Sequence, residues 1–388
     1  MPYETPSRRS FLHLASASTL PLFWNPATGF ANPPERPQLI VRQQMPQNME
    51  FPFQSLNSFI TPNELFYVRN HFPIPQLTAN NYRLRVEGLV ENQLNLTFDD
   101  IRRMPSRTVT FTMECAGNSR ALLTPPARGV PWQYGAVSTA EWTGVPLSAV
   151  LQRAGVRDNA TEVICEGADE GRLTSQPGPA GQPIHFTRGL PMAQTRRNDV
   201  LLAYRMNGQD LPAAHGFPLR LVVPGWYGMA SVKWLSRLVL TNRPFTGYYQ
   251  SLAYIRFHRV QGSYVITPIT VMPVKSLIAQ PITNARLQAN ANVRIHGAAW
   301  CGDSAIRRVN VSTDGGQTWQ QARLLGEARD HCWRLWEYNW RTPARPGRVT
   351  LMSRATNARG DSQPMMPDGN RGAYMINHVI PVPVQVGE

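Results

Sequence analysis

The sequence predicts an α+β fold in which strands dominate, followed by an all-β sandwich of the immunoglobulin type. The 34 prolines and the scarcity of long helical periods indicate a chain rich in strands and loops. Beyond about Val271, short strands recur at regular spacing around the hairpin turn Asp314-Gly315-Gly316, which is typical of an antiparallel sandwich. A length of 388 residues is enough for two or three domains.

The amino terminus has the features of an export signal. Arg8 and Arg9 precede Phe11 and a weakly apolar run, and the small residues Gly29 and Ala31 offer a site for a peptidase. This order of features predicts a twin-arginine signal over residues 1–31 and a periplasmic location. No later stretch approaches the roughly 20 apolar residues that cross a bilayer, so no membrane span is expected.

The net charge of +14 first suggests a nucleic-acid partner. However, the arginines are scattered as singles and pairs, without a basic run interleaved with aromatic residues. Dispersed cations are more typical of a solvated surface, or of one that steers a small anion or an acidic protein. We therefore expect no nucleic-acid binding.

The stretch from Thr108 to Arg120 is predicted to be a strand that ends in a turn. Apolar and polar residues alternate up to Glu114, and Ala116-Gly117-Asn118-Ser119 has the composition of a turn. Cys115 therefore lies at a strand end, where functional sites are common. It is either a small buried hydrophobe or a thiolate favoured by the nearby cation of Arg120.

Two further clusters of polar residues are candidate anion sites. Arg69, Asn70 and His71 follow an apolar strand predicted over residues 65–68, and Arg69 is a natural anion ligand. His215, Arg220 and Lys233 surround a glycine-bearing loop, a combination that is typical of phosphate binding. The alternative for the second cluster is a basic rim on a β-rich core.

Short helices are predicted at 97–104 and 147–154. Cys165 lies in a buried strand and is interpreted as a core residue. Cys301 and Cys332 could form a disulfide outside the cytosol or remain two free thiols, and the sequence favours neither. Since the four cysteines form no CxxC pair and the histidines show no paired metal spacing, neither a zinc site nor an iron–sulfur cluster is expected.

Taken together, these motifs resemble those of the sulfite oxidase family of molybdenum enzymes. Cys115-Ala-Gly-Asn118 resembles the Cys-Ala-Gly-Asn element of that family, and Arg69-Asn-His71 resembles its Arg-Asn-His element. The region that binds the pterin phosphate is matched by His215-Gly-Phe-Pro-Leu-Arg220 and Val232-Lys-Trp-Leu235. The segments Asn370-Arg-Gly372 and Asp314-Gly-Gly-Gln-Thr-Trp319 resemble its dimerisation domain.

The resemblance implies a molybdopterin-binding catalytic domain over residues 32–270 and an immunoglobulin-like dimerisation domain over residues 271–388, in a homodimer. One molybdopterin would carry the molybdenum, with the Cys115 thiolate as a metal ligand. The other cofactor-binding residues would be Asn70, His71, Asp169, His215, Arg220, Ser231 and Lys233. The substrate pocket would be lined by Arg69, Arg120, Trp132, Tyr254 and Arg371, with Arg128 near it, at a position where a lysine is frequent.

By the same resemblance, the expected activity is oxidation of sulfite to sulfate. No haem-binding domain precedes the molybdenum domain and no CxxCH motif is present, so no haem is expected in the chain, and the two electrons would pass to an external acceptor such as a c-type cytochrome. The alternatives are an enzyme of the sulfane dehydrogenase type, another oxidoreductase of sulfur compounds, or a non-catalytic anion-binding export protein. An arginine-lined pocket disfavours a neutral substrate such as a sulfoxide.

Overall fold

Strands make up most of the regular structure, as predicted. The computed structural model describes residues 37–173, 181–368 and 373–387. The predicted export signal and Arg371 lie outside these residues.

Within the described residues, the amino-terminal part contains thirteen strands and three short α-helices. Its strands are β1 (Ile40–Gln43), β2 (Asn48–Glu50), β3 (Val68–Arg69), β4 (Arg83–Gly88), β5 (Leu94–Thr97), β6 (Arg107–Glu114), β7 (Val137–Pro146), β8 (Glu162–Arg172), β9 (Pro183–Pro191), β10 (Leu201–Met206), β11 (Gln209–Asp210), β12 (Arg220–Val222) and β13 (Leu235–Thr241). Its helices are α1 (Phe98–Arg102), α2 (Leu147–Ala154) and α3 (Met192–Thr195).

Two five-stranded sheets position the polar strand ends. One has the order β11-β10-β7-β6, with β12 beside β10, and the other has the order β5-β4-β13-β8-β9. Neighbouring strands in both sheets are antiparallel except for β4 and β13, which run parallel. The strand expected over residues 65–68 is shorter than predicted, because Asn63–Leu65 form a 3-10 turn and only Val68 and Arg69 pair in β3.

The two predicted helices form where the sequence places them. The Thr97 side chain accepts a hydrogen bond from the Asp100 backbone N–H, and the Asp100 carboxylate accepts one from the Thr97 backbone in return. This capping box satisfies donors that would otherwise be free at the first turn of α1. Helix α2 ends at Gly155, whose left-handed backbone (φ 67°) is suited to glycine.

A two-stranded hairpin and a β-sandwich follow. The hairpin consists of β14 (Ile255–Val260) and β15 (Ser263–Pro268), after a short π-helix (Tyr249–Ala253). The sandwich strands are β16 (Lys275–Gln280), β17 (Arg286–Leu287), β18 (Asn292–Trp300), β19 (Ile306–Ser312), β20 (Gln320–Gln321), β21 (Arg323–Leu324), β22 (Arg334–Arg341), β23 (Gly347–Asn357) and β24 (Val382–Val386). Its two sheets have the orders β16-β18-β22-β21 and β17-β24-β23-β19-β20. The predicted α+β class with a carboxy-terminal sandwich is therefore confirmed.

The hydrophobic core crosses the region where the two predicted domains meet. Ile295, Val309 and Leu351 pack between the two sheets of the sandwich. Trp300 and Trp333, although they come from the carboxy-terminal part, pack into the core of the amino-terminal part. The two parts are thus joined by buried apolar contacts, and the predicted boundary at residue 270 stays a prediction.

All four cysteines are free thiols in the described structure. The Cys301 thiol lies 3.4 Å from Asp303 Oδ1, whereas the Cys332 thiol donates to the Thr110 carbonyl at 3.1 Å. The disulfide that the sequence left open therefore does not form in this structure. Within the described residues, no helix has both the length and the apolar character needed to cross a membrane.

Candidate active site

Strand β6 ends in a tight turn that begins with Cys115 and is held by several hydrogen bonds. The Cys115 backbone N–H donates to Ala136 at 2.9 Å, and the Asn118 N–H donates back to the Cys115 carbonyl at 2.9 Å. The Asn118 side chain accepts from the Ala136 N–H at 3.1 Å, and Ser119 adopts a left-handed backbone with φ 74°. A non-glycine residue with positive φ is uncommon and marks a turn that its surroundings hold in place.

Cys115 lies where two spaces meet. A small inner cavity of about 50 Å³ is lined by residues that include Met113, His215 and Arg220. An open outer cleft of about 790 Å³ is lined by residues that include Arg120 and Trp132. Both spaces are lined by Arg69, His71, Cys115 and Tyr254. These four residues therefore form the neck between a buried pocket and the surface.

The far wall of the inner cavity carries the predicted phosphate-binding residues. Arg220 donates to the carbonyls of His215 and Ser231 at 2.9 and 3.0 Å, and Lys233 donates to Ala214 at 2.9 Å and to the Asn70 side chain. Burial, together with the nearby cations Lys233 and Arg220, lowers the pKa of His215 to about 3, so its imidazole is neutral at pH 7. The structure thus brings His215, Arg220, Ser231 and Lys233 together around one cavity.

This donor set fits the phosphate of the expected molybdopterin. The buried atoms Arg220 Nε and Asn70 Nδ2 have no hydrogen-bond partner among the described residues. No Asp or Glu lines the inner cavity, and Asp169, which lies near Lys233, is set back from its surface. Because an unsatisfied buried donor costs free energy, a bound anion that accepts from these groups would be stabilising. The residues present therefore match a phosphorylated cofactor.

The Arg69-Asn70-His71 segment forms one side of the neck. The Asn48 side chain accepts from the Asn70 N–H at 2.9 Å and from Arg69 at 3.3 Å, which fixes the segment against β2. His71 Nε2 forms a hydrogen bond with the Tyr254 hydroxyl at 2.7 Å. Burial lowers the pKa of His71, with Arg69 adding to the effect, whereas burial raises the pKa of Tyr254. Both side chains are consequently neutral hydrogen-bonding groups at pH 7.

Arg120 lies in the outer cleft and its guanidinium is tightly enclosed. It donates to the carbonyls of Ala373 and Val130 at 3.1 and 3.2 Å and lies over the Tyr374 ring at 5.0 Å. A Cβ atom added at Gly117 or Gly129 would lie 2.5 or 2.2 Å from a guanidinium nitrogen. A side chain at either position would therefore displace the guanidinium from this place.

Of the remaining predicted site residues, one lines the outer cleft, two line neither space and one lies outside the described residues. Trp132 is fully buried and lines the outer cleft beside Arg120. Asp169 is buried near Lys233, where burial raises the pKa of its carboxyl group, but it lines neither space. Arg128 is exposed and also lines neither space. Arg371 lies outside the described residues, although Tyr374, which follows it closely, lines the outer cleft.

Sequence reasoning missed the residues that support the site from distant segments. Asn48 orients Arg69 and Asn70 from β2, and Phe186 stacks on the His71 ring with centroids 4.3 Å apart. Neither residue belongs to a motif, and only the pairing of distant strands brings them to the site. Tyr374 could have been found from its closeness to the Asn370-Arg-Gly372 motif.

A buried ion pair joins the end of β6 to the sandwich. Lys275 Nζ on β16 lies 2.8 Å from Glu114 Oε1, and both side chains are only 1% exposed. Glu114 also accepts from Trp300 Nε1 at 2.8 Å and from the Asn118 amide at 3.0 Å. Burial lowers the pKa of Lys275, and the Glu114 carboxylate opposes that effect. Glu114 directly precedes Cys115, so the sandwich helps to hold the turn that carries the thiol.

Two family descriptions match successive parts of the chain. The oxidoreductase molybdopterin binding domain matches residues 71–249, and the Mo-co oxidoreductase dimerisation domain matches residues 266–385.

Known proteins match over most of the chain. Mitochondrial sulfite oxidase of Mus musculus is 37% identical over 353 residues, which cover 87% of this chain and 63% of that protein. The chain thus spans less than two thirds of that relative. Sulfite oxidase of Gallus gallus is 38% identical, with 86% of this chain and 74% of that protein covered.

A solved structure of similar fold is the sulfane dehydrogenase SoxCD from Paracoccus pantotrophus. Its TM-score is 0.75 at 31% sequence identity, and the match covers 86% of this chain and 83% of that chain. The two family matches, the relatives and the cationic cavity beside Cys115 agree with one another. The chain belongs to the sulfite oxidase family of molybdopterin-binding oxidoreductases.

Proposed function

We propose that this chain is a periplasmic sulfite dehydrogenase that passes two electrons from each sulfite to an external acceptor such as a c-type cytochrome. The observation that carries the proposal is the outer cleft, which Arg69 and Arg120 line together with Cys115 and which no Asp or Glu lines. A small dianion is the natural ligand of such a cleft. The twin-arginine pattern around Arg8 and Arg9 supports the location.

The inner cavity would hold the phosphate end of the cofactor. His215, Arg220, Ser231 and Lys233 would bind the pterin phosphate, and the Cys115 thiolate would be a metal ligand. When bound, the molybdenum of the molybdopterin supplies the two-electron chemistry. Asn70 would add hydrogen bonds from its unpartnered amide.

The chain's own residues bind and orient the substrate. Arg69 and Arg120 would donate charge-assisted hydrogen bonds to the sulfite oxygens, leaving the sulfur directed toward the neck. Trp132 closes one wall of the cleft and excludes water there, which strengthens these electrostatic contacts. Tyr254, which is neutral and fixed by His71, can hydrogen-bond the substrate at the neck. Sulfite gains one oxygen atom derived from water and releases two electrons and two protons as it becomes sulfate.

Steady-state kinetics with sulfite, together with molybdenum content on the same sample, tests the proposal. Turnover of sulfite by molybdenum-replete protein is expected. Absence of turnover at full molybdenum content would refute it, and absence of molybdenum from natively exported protein would favour a non-catalytic anion-binding role.

The similarity to the sulfane dehydrogenase SoxCD supports a second candidate, oxidation of a sulfane sulfur on the same scaffold. A sulfane sulfur carried on a larger molecule needs a more open approach than sulfite does. Comparing kcat/KM for sulfite and for thiosulfate distinguishes the two candidates, because a preference for thiosulfate would favour the second.

Replacing Arg69 with methionine is expected to raise KM for sulfite by about 10- to 100-fold, which corresponds to the loss of one or two charge-assisted hydrogen bonds. The guanidinium lies at the neck, 3.3 Å from Asn48 Oδ1, and half-buried. Arg243→Met, at an exposed arginine that lines neither space, is the matched control. An unchanged KM in Arg69→Met would remove Arg69 from the set of substrate ligands.

Replacing Lys233 with methionine is expected to weaken cofactor retention by about 10- to 100-fold, because a charged donor to the phosphate is lost. The measurement is the pterin and molybdenum remaining after exhaustive dialysis. Lys233→Arg keeps the cation and should restore part of the retention, whereas the exposed Arg85→Met should resemble the unmodified protein. Full retention in Lys233→Met would contradict the assignment of this residue.

A further inference from the structure

An exposed hairpin projects beside the outer cleft. Among the described residues, β14 and β15 form a sheet of their own, directly after Tyr254. The buried Arg188 ties together the chain just before and just after the hairpin. Its guanidinium donates to the Tyr249 carbonyl and, at 3.1 Å, to the Ile269 carbonyl. The Ile269 N–H also donates to the Tyr254 carbonyl at 2.9 Å. The hairpin Ile255–Pro268, called the arm below, is therefore held at its base.

The apolar face of the arm points to solvent. Phe257 lies opposite Ile266, and the next pair on the same face is Arg259 opposite Tyr264. Phe257, Ile266 and Tyr264 are 47%, 54% and 62% exposed. A hairpin that packs on its own protein normally buries such residues and exposes its polar face.

The other face of the arm is the more buried one, although it carries polar side chains. Arg256 Nε donates to Thr267 Oγ1 at 3.3 Å, and His258 lies 3.4 Å from the same hydroxyl. Arg256, His258 and Thr267 are all half-buried. The exposed apolar face is thus a consequence of the strand register, since a shift by one residue would exchange the two faces.

The rim of the cleft continues the same surface. Met45 and Leu252 line the cleft and are among the exposed large hydrophobic side chains. Four arginines also line the cleft, and no Asp or Glu does: Arg42, Arg69, Arg120 and Arg172. Arg259 adds a further cation on the arm, where its guanidinium lies over the Tyr264 ring at 4.8 Å. Arg42 is paired with Glu50, so the positive charge around the entrance comes from the other three arginines and from Arg259, next to the apolar side chains.

We infer that the cleft rim and the apolar face of the arm are the docking surface for the electron-accepting protein, and that this partner presents an apolar centre surrounded by acidic residues. The inference rests on the proposed function, which requires an external acceptor. An apolar patch contributes affinity, and the surrounding cations steer an acidic partner and orient it.

Two observations favour this occupant over a second copy of the chain. The cleft lining and the arm are basic, and the whole chain carries a net charge of +14, so two such faces would repel each other. The base of the arm also carries Tyr254 at the neck, so a protein docked here would sit next to the place that electrons must leave. Two one-electron acceptors would be reduced for each sulfite oxidised.

The test compares a protein acceptor with a small one in the intact, molybdenum-loaded enzyme. The probes are a small acidic c-type cytochrome and ferricyanide, each with saturating sulfite. The double variant Phe257→Ser/Ile266→Ser is expected to lower kcat/KM for the cytochrome by about tenfold or more, as truncation of central interface residues does. A separate variant, Arg259→Glu, should also lower kcat/KM for the cytochrome at low salt. In this variant kcat/KM should depend less on ionic strength than it does in the wild type. Activity with ferricyanide should stay unchanged in both variants.

Ile282→Ser is the matched control, since Ile282 is also an exposed apolar residue but lies neither on the arm nor on the cleft rim. If the wild-type enzyme does not oxidise sulfite with ferricyanide, the proposed function fails rather than the docking surface. If the arm variants reduce the cytochrome as well as the wild type does, the docking surface is overturned. If light scattering shows that the arm variants change only the oligomeric state, the face is a self-association surface and the inference is also overturned.

Discussion

Replacing Cys115 with serine is expected to abolish sulfite oxidation while leaving the fold intact. The side chain lies at the neck between cavity and cleft, and its backbone hydrogen bonds to Ala136 and Asn118 do not depend on the sulfur. A serine hydroxyl stays protonated at neutral pH and does not replace a thiolate as a metal ligand. Changes to groups that merely support metal ligands already lower metal affinity or activity by about 10- to 100-fold. Because Cys115 would be a ligand itself, we expect activity to fall by more than about 100-fold.

Cys165→Ser is the control for this experiment. Cys165 is buried in β8, where burial raises the pKa of its thiol to about 12, and it lines neither the cavity nor the cleft. This variant should lose about 1–3 kcal/mol of stability through a buried hydroxyl and keep its activity per molybdenum. Substantial sulfite oxidation by Cys115→Ser, with the fold confirmed by circular dichroism, would contradict the assignment of Cys115 as the metal ligand.

Replacing Lys275 with methionine is expected to lower the free energy of unfolding by about 3–5 kcal/mol, because it leaves the Glu114 carboxylate buried without its cation. The two groups lie 2.8 Å apart and are almost fully enclosed. Denaturant unfolding of preparations with matched molybdenum content measures the change. Since Glu114 adjoins Cys115, we also expect loss of bound molybdenum from this variant on dialysis.

The double variant Glu114→Gln/Lys275→Met separates the charge from the packing. A neutral amide at position 114 can keep the hydrogen bond from Trp300, so the double variant should be more stable than Lys275→Met alone. If the single and double variants lose the same free energy of unfolding, the unpaired buried charge of Glu114 is not the cause of the loss. Gln280→Ala removes another contact between the two parts, the 3.1 Å bond to the Gln54 carbonyl, and should have a small effect because that bond is exposed.

Local patterns predicted helices α1 and α2 and several of the sandwich strands, because each of these elements is specified by its own residues. Thr97 and Asp100 form the capping box that begins α1, and Gly155 ends α2. The arm was not among the predicted strands, although its turn at Gln261 and Gly262 has positive φ at both residues, as a tight hairpin requires. Gln is a weak turn signal, and the apolar face of the arm lacks the burial that usually accompanies a strand.

At the site, motif residues at strand ends were predicted to meet, and the structure places most of them around the cavity and cleft. Arg128 and Asp169 differ, since neither lines the cavity or the cleft, although Asp169 lies near Lys233. Asn48 and Phe186 could not be predicted, because their role depends on contacts with residues far away in the sequence. Local chemistry identifies the groups that react, whereas long-range packing decides which groups hold them.

The ion pair between Glu114 and Lys275 has a consequence for engineering by truncation or domain exchange. A chain shortened at residue 270 would lose Lys275 and Trp300, and also the Met375 N–H that donates to the Ala116 carbonyl at 2.8 Å within the cysteine turn. The catalytic half is thus not a detachable module. A chimera that joins it to a foreign sandwich should carry over these contacts, or replace both charges together, if it is to keep its metal.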